Sequence, residues 1–285
     1  MRINTNVASL NAQESATQTT KSLSSSLEKL SSGLRINKAS DDASGMAIAD
    51  KLRTQASSIG QSISNGNSAV ALVQIADKAM AEQSNILDIV KQKLLQAATA
   101  TTSSAGREAI AKDVDKLLNQ LNNIAIQTNY NGINLLQKGD SENGSGAASL
   151  SFQMGETELN TISTTSGTQA NVSGLSLSGL KSQVEASATF TASMASAALS
   201  SMDDALTTLN GWRSDMGSTQ NQLESSIRNL STDQTNLKAA EYVIRDVDYA
   251  SESANFNKQN IIAQAGTYAM SQANAMQQNV MRLLQ

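Results

Sequence analysis

The fold of this chain is decided by residues 49–87, which read ADKLRTQASSIGQSISNGNSAVALVQIADKAMAEQSNIL. Mostly apolar or small side chains recur in this stretch at alternating intervals of three and four, which places them on one face of an α-helix. These positions are Ala49, Leu52, Ala56, Ile59, Ile63, Gly66, Val70, Val73, Asp77, Met80, Ser84 and Leu87. The pattern continues towards Leu94 and Ala98, and it predicts one helix from about Asp41 to about Thr99.

Two further stretches carry the same kind of seam. The first consists of Ile110, Val114, Leu117, Leu121 and Ile124. The second consists of Leu199, Met202, Leu206, Leu209, Arg213, Met216, Gln220, Leu223, Ile227 and Leu230. The chain contains no proline, so nothing of that kind interrupts long helices. Three matching seams predict an elongated helical bundle, with Ser104 as a candidate cap of its second helix and Asn131–Gly132 as the turn that follows.

The middle of the chain has a different pattern. Leu150, Phe152 and Met154 alternate with polar residues, which is typical of a strand, and residues 155–157 can turn the chain into a second strand at 159–162. The Ser-, Thr- and Gly-rich run at 164–179 indicates a loop or a weakly ordered surface. The predicted fold class is therefore mainly α, a long antiparallel helical bundle or coiled coil with a small β-hairpin region in the middle of the chain.

Composition excludes several kinds of function. The 285 residues include no His and no Cys, which removes the usual zinc, haem and iron–sulfur sites, the Ser-His-Asp triad and thiol nucleophiles. A net charge of -4 gives no electrostatic case for nucleic acid, and no apolar run reaches the length of a membrane span. The carboxylate pairs Asp41–Asp42 and Asp203–Asp204 fit helix caps or surface charge better than acid–base catalysis. We expect no cofactor and no enzymatic activity.

Both ends of the chain carry helical seams that are weak. Near the C-terminus the seam residues are Ile262, Gly266, Ala269, Ala273, Met276, Val280 and Leu283, and near the N-terminus they are Ile3, Val7, Leu10, Leu23, Leu27, Leu30 and Leu34. Residues 250–285 hold three charged side chains and 11 Asn or Gln, unlike an ordinary charged disordered tail. We interpret the ends as unfolded alone and helical when partners cover them. A frayed end without a role is the alternative.

Several motifs resemble the signatures of bacterial flagellins. At the N-terminal side these are LEKLSSGLRIN at 27–37, ASDDASGMAIA at 39–49 and QTNYNG at 127–132. At the C-terminal side they are LESSIRNL at 223–230, IRDVDYA at 244–250 and AQAGT at 263–267. The resemblance covers residues 1–138 and 187–285, and it departs from the family at Gln277–Val280, where many flagellins have a proline before the glutamine.

The resemblance implies an architecture and a function. Residues 1–40 would form the N-terminal arm of the inner domain D0 and its spoke, and residues 244–285 its C-terminal arm. Residues 41–138 and 191–243 would form the helices of domain D1, with β-hairpins and a vestigial variable region at 139–190. The implied function is a structural subunit that self-assembles into the extracellular flagellar filament for swimming, with arms that fold on polymerisation.

The resemblance also implies partners and sites. Partners would be further copies of the chain, an export chaperone on the C-terminal arm, and the filament cap and hook-junction proteins; export would use the flagellar apparatus without a cleaved signal peptide. The filament core interface would be formed by seam residues of the two chain ends, namely Ile3, Val7, Leu10, Leu27, Leu30, Leu34, Ile262, Ala269, Ala273, Met276, Val280 and Leu283. The spoke or hinge would use Gly33, Arg35, Asn37, Asp41 and Asp42, for which an ordinary loop with a helix cap is the alternative. Residues 141–191 are a candidate region for O-linked sugars.

One segment departs from its family counterpart. Many flagellins present a Gln-Arg-Val-Arg-Glu-Leu-Ala-Val stretch to a Toll-like receptor of innate immunity. The aligned residues here are Asp88, Ile89, Val90, Lys91, Gln92, Lys93, Leu94 and Leu95. Ile89 replaces an arginine, and Lys91 lacks the planar guanidinium fork, so we expect weak or absent receptor activation.

Three competing functions remain at the level of sequence. A hook–filament junction protein shares the same terminal pattern but would not form long filaments alone. A coiled-coil signalling or chaperone module would be a folded oligomer along its whole length. A metallopeptidase of the kind that some flagellins carry needs a His-Glu-x-x-His motif, which a chain without histidine cannot provide.

Overall fold

Long helices dominate the computed structural model, which describes residues 5–139, 144–186 and 190–283. The described residues form six helices: α1 (Val7–Ser32), α2 (Ala43–Ala98), α3 (Ser104–Gln127), α4 (Ser178–Glu185), α5 (Ala192–Arg245) and α6 (Tyr249–Leu283). They also form two antiparallel hairpins, which pair β1 (Asn129–Tyr130) with β2 (Ile133–Asn134) and β3 (Ser151–Gln153) with β4 (Thr161–Ser163). The predicted fold class is confirmed.

The chain divides into two compact units. The first joins residues 1–56 to residues 235–285, and the second covers residues 57–234. The first unit contains α1 and α6 and the loop segments next to them, whereas the second contains α3, α4 and both hairpins. The two longest helices, α2 and α5, contribute residues to both units.

The second unit has a continuous apolar core. Its fully buried large side chains include Met80, Leu87, Leu94, Leu118, Leu121, Met202, Leu209 and Leu223, which come from α2, α3 and α5. The pairs Lys91–Asp203 and Asp77–Arg213 fix α2 and α5 as antiparallel, because residue numbers rise along one helix as they fall along the other. Burying each of these leucines contributes about 1.5–3 kcal/mol, so this core is the main source of stability in the unit.

The hairpin β3–β4 is seated against this core. A side-chain carbon added at Gly66 of α2 would lie 2.7 Å from Met154 Cε and 2.9 Å from Ile227 Cγ1. Only glycine therefore leaves room for the methionine that follows β3 to lie against α2 beside α5. Gly66 in the predicted seam thus marks the place where the β3–β4 hairpin packs against α2 and α5.

Two sequence expectations need correction. The side chain of Ser103, rather than that of Ser104, caps α3 by accepting a hydrogen bond from the Gly106 amide at 3.1 Å. The run at 164–179 is not a weakly ordered surface: Ala170, Val172, Leu175 and Leu177 in it are buried in the core, and α4 begins near its end. These apolar residues lie among polar ones without helical or strand spacing, so periodicity alone does not detect them.

A buried cluster of neutral amides holds this irregular run in place. Its members are Gln83, Asn122, Gln137 and Asn171. The Gln83 amide donates to the carbonyl of Ala170 at 2.6 Å, and the Asn122 side-chain oxygen accepts from the Val172 amide at 2.9 Å. Asn171 donates to the Gln137 side-chain oxygen at 2.8 Å. Buried polar groups need such partners, so the cluster fixes where the run crosses α2 and α3.

Candidate assembly interface and arm junction

Helices α1 and α6 pair along a seam in which small and polar side chains outnumber large apolar ones. On α1 the buried or half-buried positions include Ser9, Ala12, Ala16, Thr19, Leu23, Ser26 and Leu30, and on α6 they include Glu252, Phe256, Gln259, Ala263, Gly266, Met270 and Ala273. Both sets alternate between intervals of three and four, as a coiled-coil seam does. A side-chain carbon added at Gly266 would meet Ala16 Cβ at 3.9 Å, an ordinary contact. The seam is narrow and buries little apolar surface.

Polar contacts tie this helix pair together near both ends. The Asn6 side chain caps α1 by accepting from the Ser9 amide at 3.1 Å, and its amide group donates to the carbonyl of Ala273 at 3.1 Å. Towards the other end, the Ser26 hydroxyl donates to the carboxylate of Glu252. The pair is thus aligned by hydrogen bonds as well as by its seam.

Several of the bulkier apolar side chains of the pair face away from the seam. Val7 and Leu10 on α1 are more than half exposed, and on α6 the exposed fractions of Ile261 and Tyr268 reach 68% and 74%. Ile261 and Tyr268 are seven residues apart, as are Ile262 and Ala269, so each couple forms a stripe along the helix. An exposed stripe of large apolar residues marks an interaction surface.

The predicted core-interface residues therefore separate into groups. Val7, Leu10, Leu27, Ile262, Ala269 and Met276 are exposed, whereas Leu30, Leu34 and Ala273 are half-buried within the first unit. Ile3 and the side chains of Val280 and Leu283 lie outside the described residues. The sequence pattern assigned Ile262, Ala269 and Met276 to the same stripe as Gly266 and Ala273, yet only the last two face α1. It also missed Ile261 and Tyr268, although their spacing of seven was a usable signal.

The segment after α1 forms a junction with the segment before α6. Gly33 ends α1 in the left-handed conformation, at φ 74°, and its amide donates to the carbonyl of Lys29. The Arg35 amide then donates to the carbonyl of Arg245 at 2.7 Å, and the Val247 amide donates to the carbonyl of Gly33 at 3.0 Å. These two backbone hydrogen bonds form an antiparallel bridge between the two halves of the chain.

A carboxylate closes the loop that follows. One oxygen of Asp41 accepts hydrogen bonds from the amides of Asn37 and Lys38, at 3.1 and 3.0 Å. The hydrogen bond from the Lys38 amide, and after it that from Asn37, holds the pKa of Asp41 below the ordinary aspartate value. The Lys38 ammonium lies 2.7 Å from a carboxylate oxygen of Glu28, and this hydrogen bond raises the pKa of Lys38.

The other two predicted hinge residues also have defined contacts. The Asp42 carboxylate caps α2 by accepting from the Gly45 amide at 2.9 Å. The Arg35 guanidinium donates to the carbonyl of Ile244. All five predicted hinge residues thus lie in one junction of loop and backbone bridge, which we call the arm junction (Gly33–Asp42 with Ile244–Val247).

The segment aligned with the receptor motif lies on α2, and its side chains divide by helix face. Val90 and Leu94 are buried in the core, so they belong to the seam. Asp88, Ile89, Gln92 and Leu95 are exposed. The ammonium groups of Lys91 and Lys93 form ion pairs with Asp203 and Asp113, respectively.

The described parts of the chain contain neither a group of side chains suited to hold a metal ion nor a helix long and apolar enough to cross a membrane. Each predicted carboxylate pair has a structural use for at least one member: Asp41 and Asp42 shape the arm junction, and Asp203 pairs with Lys91.

Comparison with known proteins agrees with this geometry. Residues 3–140 match the family model described as the bacterial flagellin N-terminal helical region, and residues 199–284 match the bacterial flagellin C-terminal helical region. The chain is 34% identical to a flagellin of Bacillus subtilis and 33% identical to the flagellar filament 33 kDa core protein of Treponema phagedenis, each alignment covering 100% of both chains. Its fold resembles a putative flagellar hook-associated protein from Vibrio parahaemolyticus, with a TM-score of 0.61 and 12% identity over 72% of this chain and 99% of the other.

Proposed function

The chain belongs to the bacterial flagellin family and is a structural subunit of the extracellular flagellar filament, and we propose that its terminal helices complete their fold on neighbouring copies. It is a structural protein and not an enzyme, and it polymerises with itself. At 285 residues it is a short form of the family. The observation that carries the proposal is the arrangement of the α1–α6 pair, whose seam consists mostly of small and polar residues while Ile261, Tyr268 and Met276 are exposed.

The energetics favour this role for the arms. An alanine in a seam position gives up three buried carbons relative to leucine, about 2–2.5 kcal/mol at ~0.8 kcal/mol per carbon. Ordering a residue costs about 1–2 kcal/mol of backbone entropy, so the narrow α1–α6 seam does little to offset the cost of ordering both helices. Covering the exposed stripes with further copies supplies the missing burial. Coupled folding of this kind lets the ends be unfolded before incorporation and helical afterwards.

Amide hydrogen exchange tests the proposal. In a dilute monomer the amides of α1 and α6 should exchange fast, while core amides of α2, α3 and α5 stay protected. In polymerised filaments both arms should become protected. Slow exchange along α1 and α6 in the monomer, equal to that in the filament, would contradict coupled folding. The flagellin of Bacillus subtilis, to which this chain aligns over the full length of both, serves as a control in the same hydrogen-exchange experiment.

The arm junction is proposed as the spoke that lets the inner and outer helical domains adjust their tilt. Its two halves are joined by two backbone hydrogen bonds and by the hydrogen bond from the Arg35 guanidinium to the Ile244 carbonyl, and Ile36 is its buried apolar side chain. Residues 1–40 and 244–285, proposed as D0, both fall within the first compact unit. Residues 41–138 and 191–243 are proposed as the D1 helices, with 139–190 as the hairpins and variable region.

The remaining partners follow from the family. Hook-associated proteins adjoin the filament, and we propose a filament cap and an export chaperone that binds the C-terminal arm. The exposed stripes of α6 give such a chaperone an apolar surface to cover before assembly. Export without a cleaved signal is proposed with it. Exposed hydroxyl groups between 141 and 191, such as those of Thr165 and Ser173, are candidate attachment points for O-linked sugars.

Weak activation of the innate receptor is proposed for the same chain. Ile89 presents an aliphatic side chain where the family motif has a guanidinium, and Lys91 is engaged by Asp203. A Toll-like receptor reporter assay should give a response well below that of a flagellin with the full motif. A matched response from both proteins contradicts the proposal, and the variant Ile89→Arg tests whether the arginine alone restores part of the signal.

The rival function is a hook–filament junction protein, which the fold likeness to the Vibrio protein leaves as the weaker alternative. Purified chain seeded with filament fragments separates the two by electron microscopy. A filament subunit extends the seeds into long filaments, whereas a junction protein adds few copies and stops.

A further inference from the structure

The tip of the β3–β4 hairpin presents an isolated leucine to solvent. Leu159 is 92% exposed, the largest exposed fraction among the bulky apolar side chains that the structure describes. Its neighbours in the turn, Glu156, Thr157 and Glu158, are exposed as well. The tip therefore combines one apolar side chain with two carboxylates.

Hydrogen bonds make this tip rigid. The Met154 amide donates to the Asn160 carbonyl at 2.9 Å, and the Asn160 amide donates to the Thr157 carbonyl at 3.0 Å. The Gln153 side-chain amide bridges the turn by donating to the carbonyls of Gly155 and Thr157, at 2.7 and 2.6 Å. A turn fixed in this way pays little further conformational entropy when it docks, so the leucine is presented in advance of binding.

An open groove of about 760 Å³ lies elsewhere on the same unit. The groove is lined by Ala71, Gln74, Ile75, Asp77, Lys78 and Gln220. Ile75 is 41% exposed and offers apolar surface beside Ala71. The groove and the tip share no residue, and each leaves apolar surface uncovered in the single chain.

The charges of the groove and of the tip are complementary. Asp77 is paired with Arg213 at 3.0 Å, which leaves Lys78 as the cation at the groove without an ion pair to any residue that the structure describes. Glu156 and Glu158, both exposed, bring two carboxylates to the turn next to Leu159. Complementary charges of this kind fix the register of a contact and exclude wrong partners.

We propose that Leu159 of one copy inserts into the groove lined by Ala71, Ile75 and Lys78 on the next copy of this chain. This inference rests on the proposed function and names one of its subunit contacts. Because tip and groove are different surfaces, the contact is heterologous: each added copy covers one groove and brings another, as an open helical polymer requires. The apolar contact supplies affinity, and the pairing of Glu158 with Lys78 supplies register.

The absence of cysteine from the chain allows an unambiguous cross-linking test. Two single-cysteine variants, Leu159→Cys and Ile75→Cys, are mixed, polymerised and oxidised. A disulfide between positions 159 and 75 must then join two different chains. The matched control replaces Leu159→Cys with Ser163→Cys, an exposed position on the same hairpin. The same mixture kept dilute and monomeric, and electron microscopy of every sample, complete the design.

The expected result is a covalent heterodimer of one Leu159→Cys chain and one Ile75→Cys chain, distinguished from either homodimer by a mass tag on one variant. It should be at least about tenfold more abundant than the heterodimer from the Ser163→Cys control or from the dilute monomers. Filaments without that dimer, or an equal yield from the control, overturn the contact and leave the filament function intact. Wild-type chain that forms no filaments overturns both.

A second measurement tests the charge pairing. Glu158→Lys or Lys78→Glu alone should raise the critical concentration for polymerisation, and the two substitutions together should lower it again. Additive effects of the two substitutions would contradict the pairing.

Discussion

Asp41 and Asp42 are neighbouring carboxylates with separate duties. Asp41 accepts hydrogen bonds from two backbone amides of its own loop, whereas Asp42 caps α2, the longest of the described helices. A sequence alone shows two acidic residues before a helix, and either could serve as the cap. The choice depends on the path of the loop, which brings Asn37 and Lys38 back over Asp41.

The titration of Asp41 gives a prediction for the loop. Because its folded pKa lies below the ordinary value of about 3.9, its contribution to stability is complete above that pH and is lost as pH falls through the lower folded value. The amide proton of Lys38 should report this transition in an NMR titration. Asp41→Asn should abolish the titration, while Asp42→Asn, which keeps a capping oxygen, should leave it in place. A midpoint at or above the ordinary value would contradict the assignment.

Two glycines of the first unit should respond to alanine in opposite directions. Gly33 has φ 74° and would place its new carbon 3.2 Å from the Tyr249 hydroxyl, so Gly33→Ala should destabilise the unit by about 1–2 kcal/mol. Gly266 lies inside α6 with room for a methyl group, and Gly266→Ala should stabilise the helix by about 1 kcal/mol. Circular dichroism during thermal unfolding of polymerised filaments, in which both arms are helical, measures both. Shifts of the same sign would contradict this account of the arm junction.

At the scale of elements, the α1–α6 pair shows how far periodicity can be trusted. Intervals of three and four residues in α6 are recognisable in the sequence. Two neighbouring sets of residues have these intervals, one containing Ile262 and Ala269 and the other Ala263 and Met270, and the sequence alone does not show which set faces α1. In α2 the question did not arise, since its predicted seam residues are all buried or half-buried. A seam rich in Ala, Gly and Ser gives too little hydrophobic contrast to fix its own direction.

The outward stripe of α6 yields a prediction about assembly. Replacing Ile261→Gln and Tyr268→Gln together removes large apolar surface without touching the seam towards α1. The double variant should keep the circular dichroism of the monomer and should polymerise only at a concentration raised at least about tenfold, since covering one such side chain contributes about 1.5–3 kcal/mol. Asn274→Ser, at an exposed position of the helix that lies away from the stripe of Ile261 and Tyr268, is the matched control. Unchanged polymerisation would exclude this stripe from the subunit interface.

The middle of the chain shows the limits of sequence reasoning most clearly. The alternation of Leu150, Phe152 and Met154 located β3, but the turn is longer than residues 155–157, and the second strand begins at Thr161 rather than at Leu159. The burial of Val172, Leu175 and Leu177 was missed, because their packing depends on side-chain hydrogen bonds from α2 and α3 that no local pattern encodes. Tertiary contacts of this sort are visible only when the elements are brought together.

At the scale of the whole molecule, the two compact units differ in how much apolar surface they bury. The apolar core cluster lies in the second unit, whereas the first depends on a narrow seam and a few polar contacts. Calorimetry of the monomer should therefore show one transition, that of the second unit, because the arms of the first unit become ordered only in the polymer. Leu121→Ala, at a fully buried position, should reduce the free energy of unfolding of the second unit by about 2–5 kcal/mol. A separate transition of the first unit in the monomer would show that the arms are folded before assembly.

The buried amide cluster of Gln83, Asn122, Gln137 and Asn171 has a consequence for life outside the cell. Amides neither gain nor lose protons over the pH range of natural waters, and hydrogen bonds between uncharged groups are scarcely weakened by dissolved salt. A clamp built from ion pairs would loosen in brine or in acid. A filament exposed directly to the medium thus keeps the hydrogen bonds of this central segment across wide ranges of pH and salt concentration.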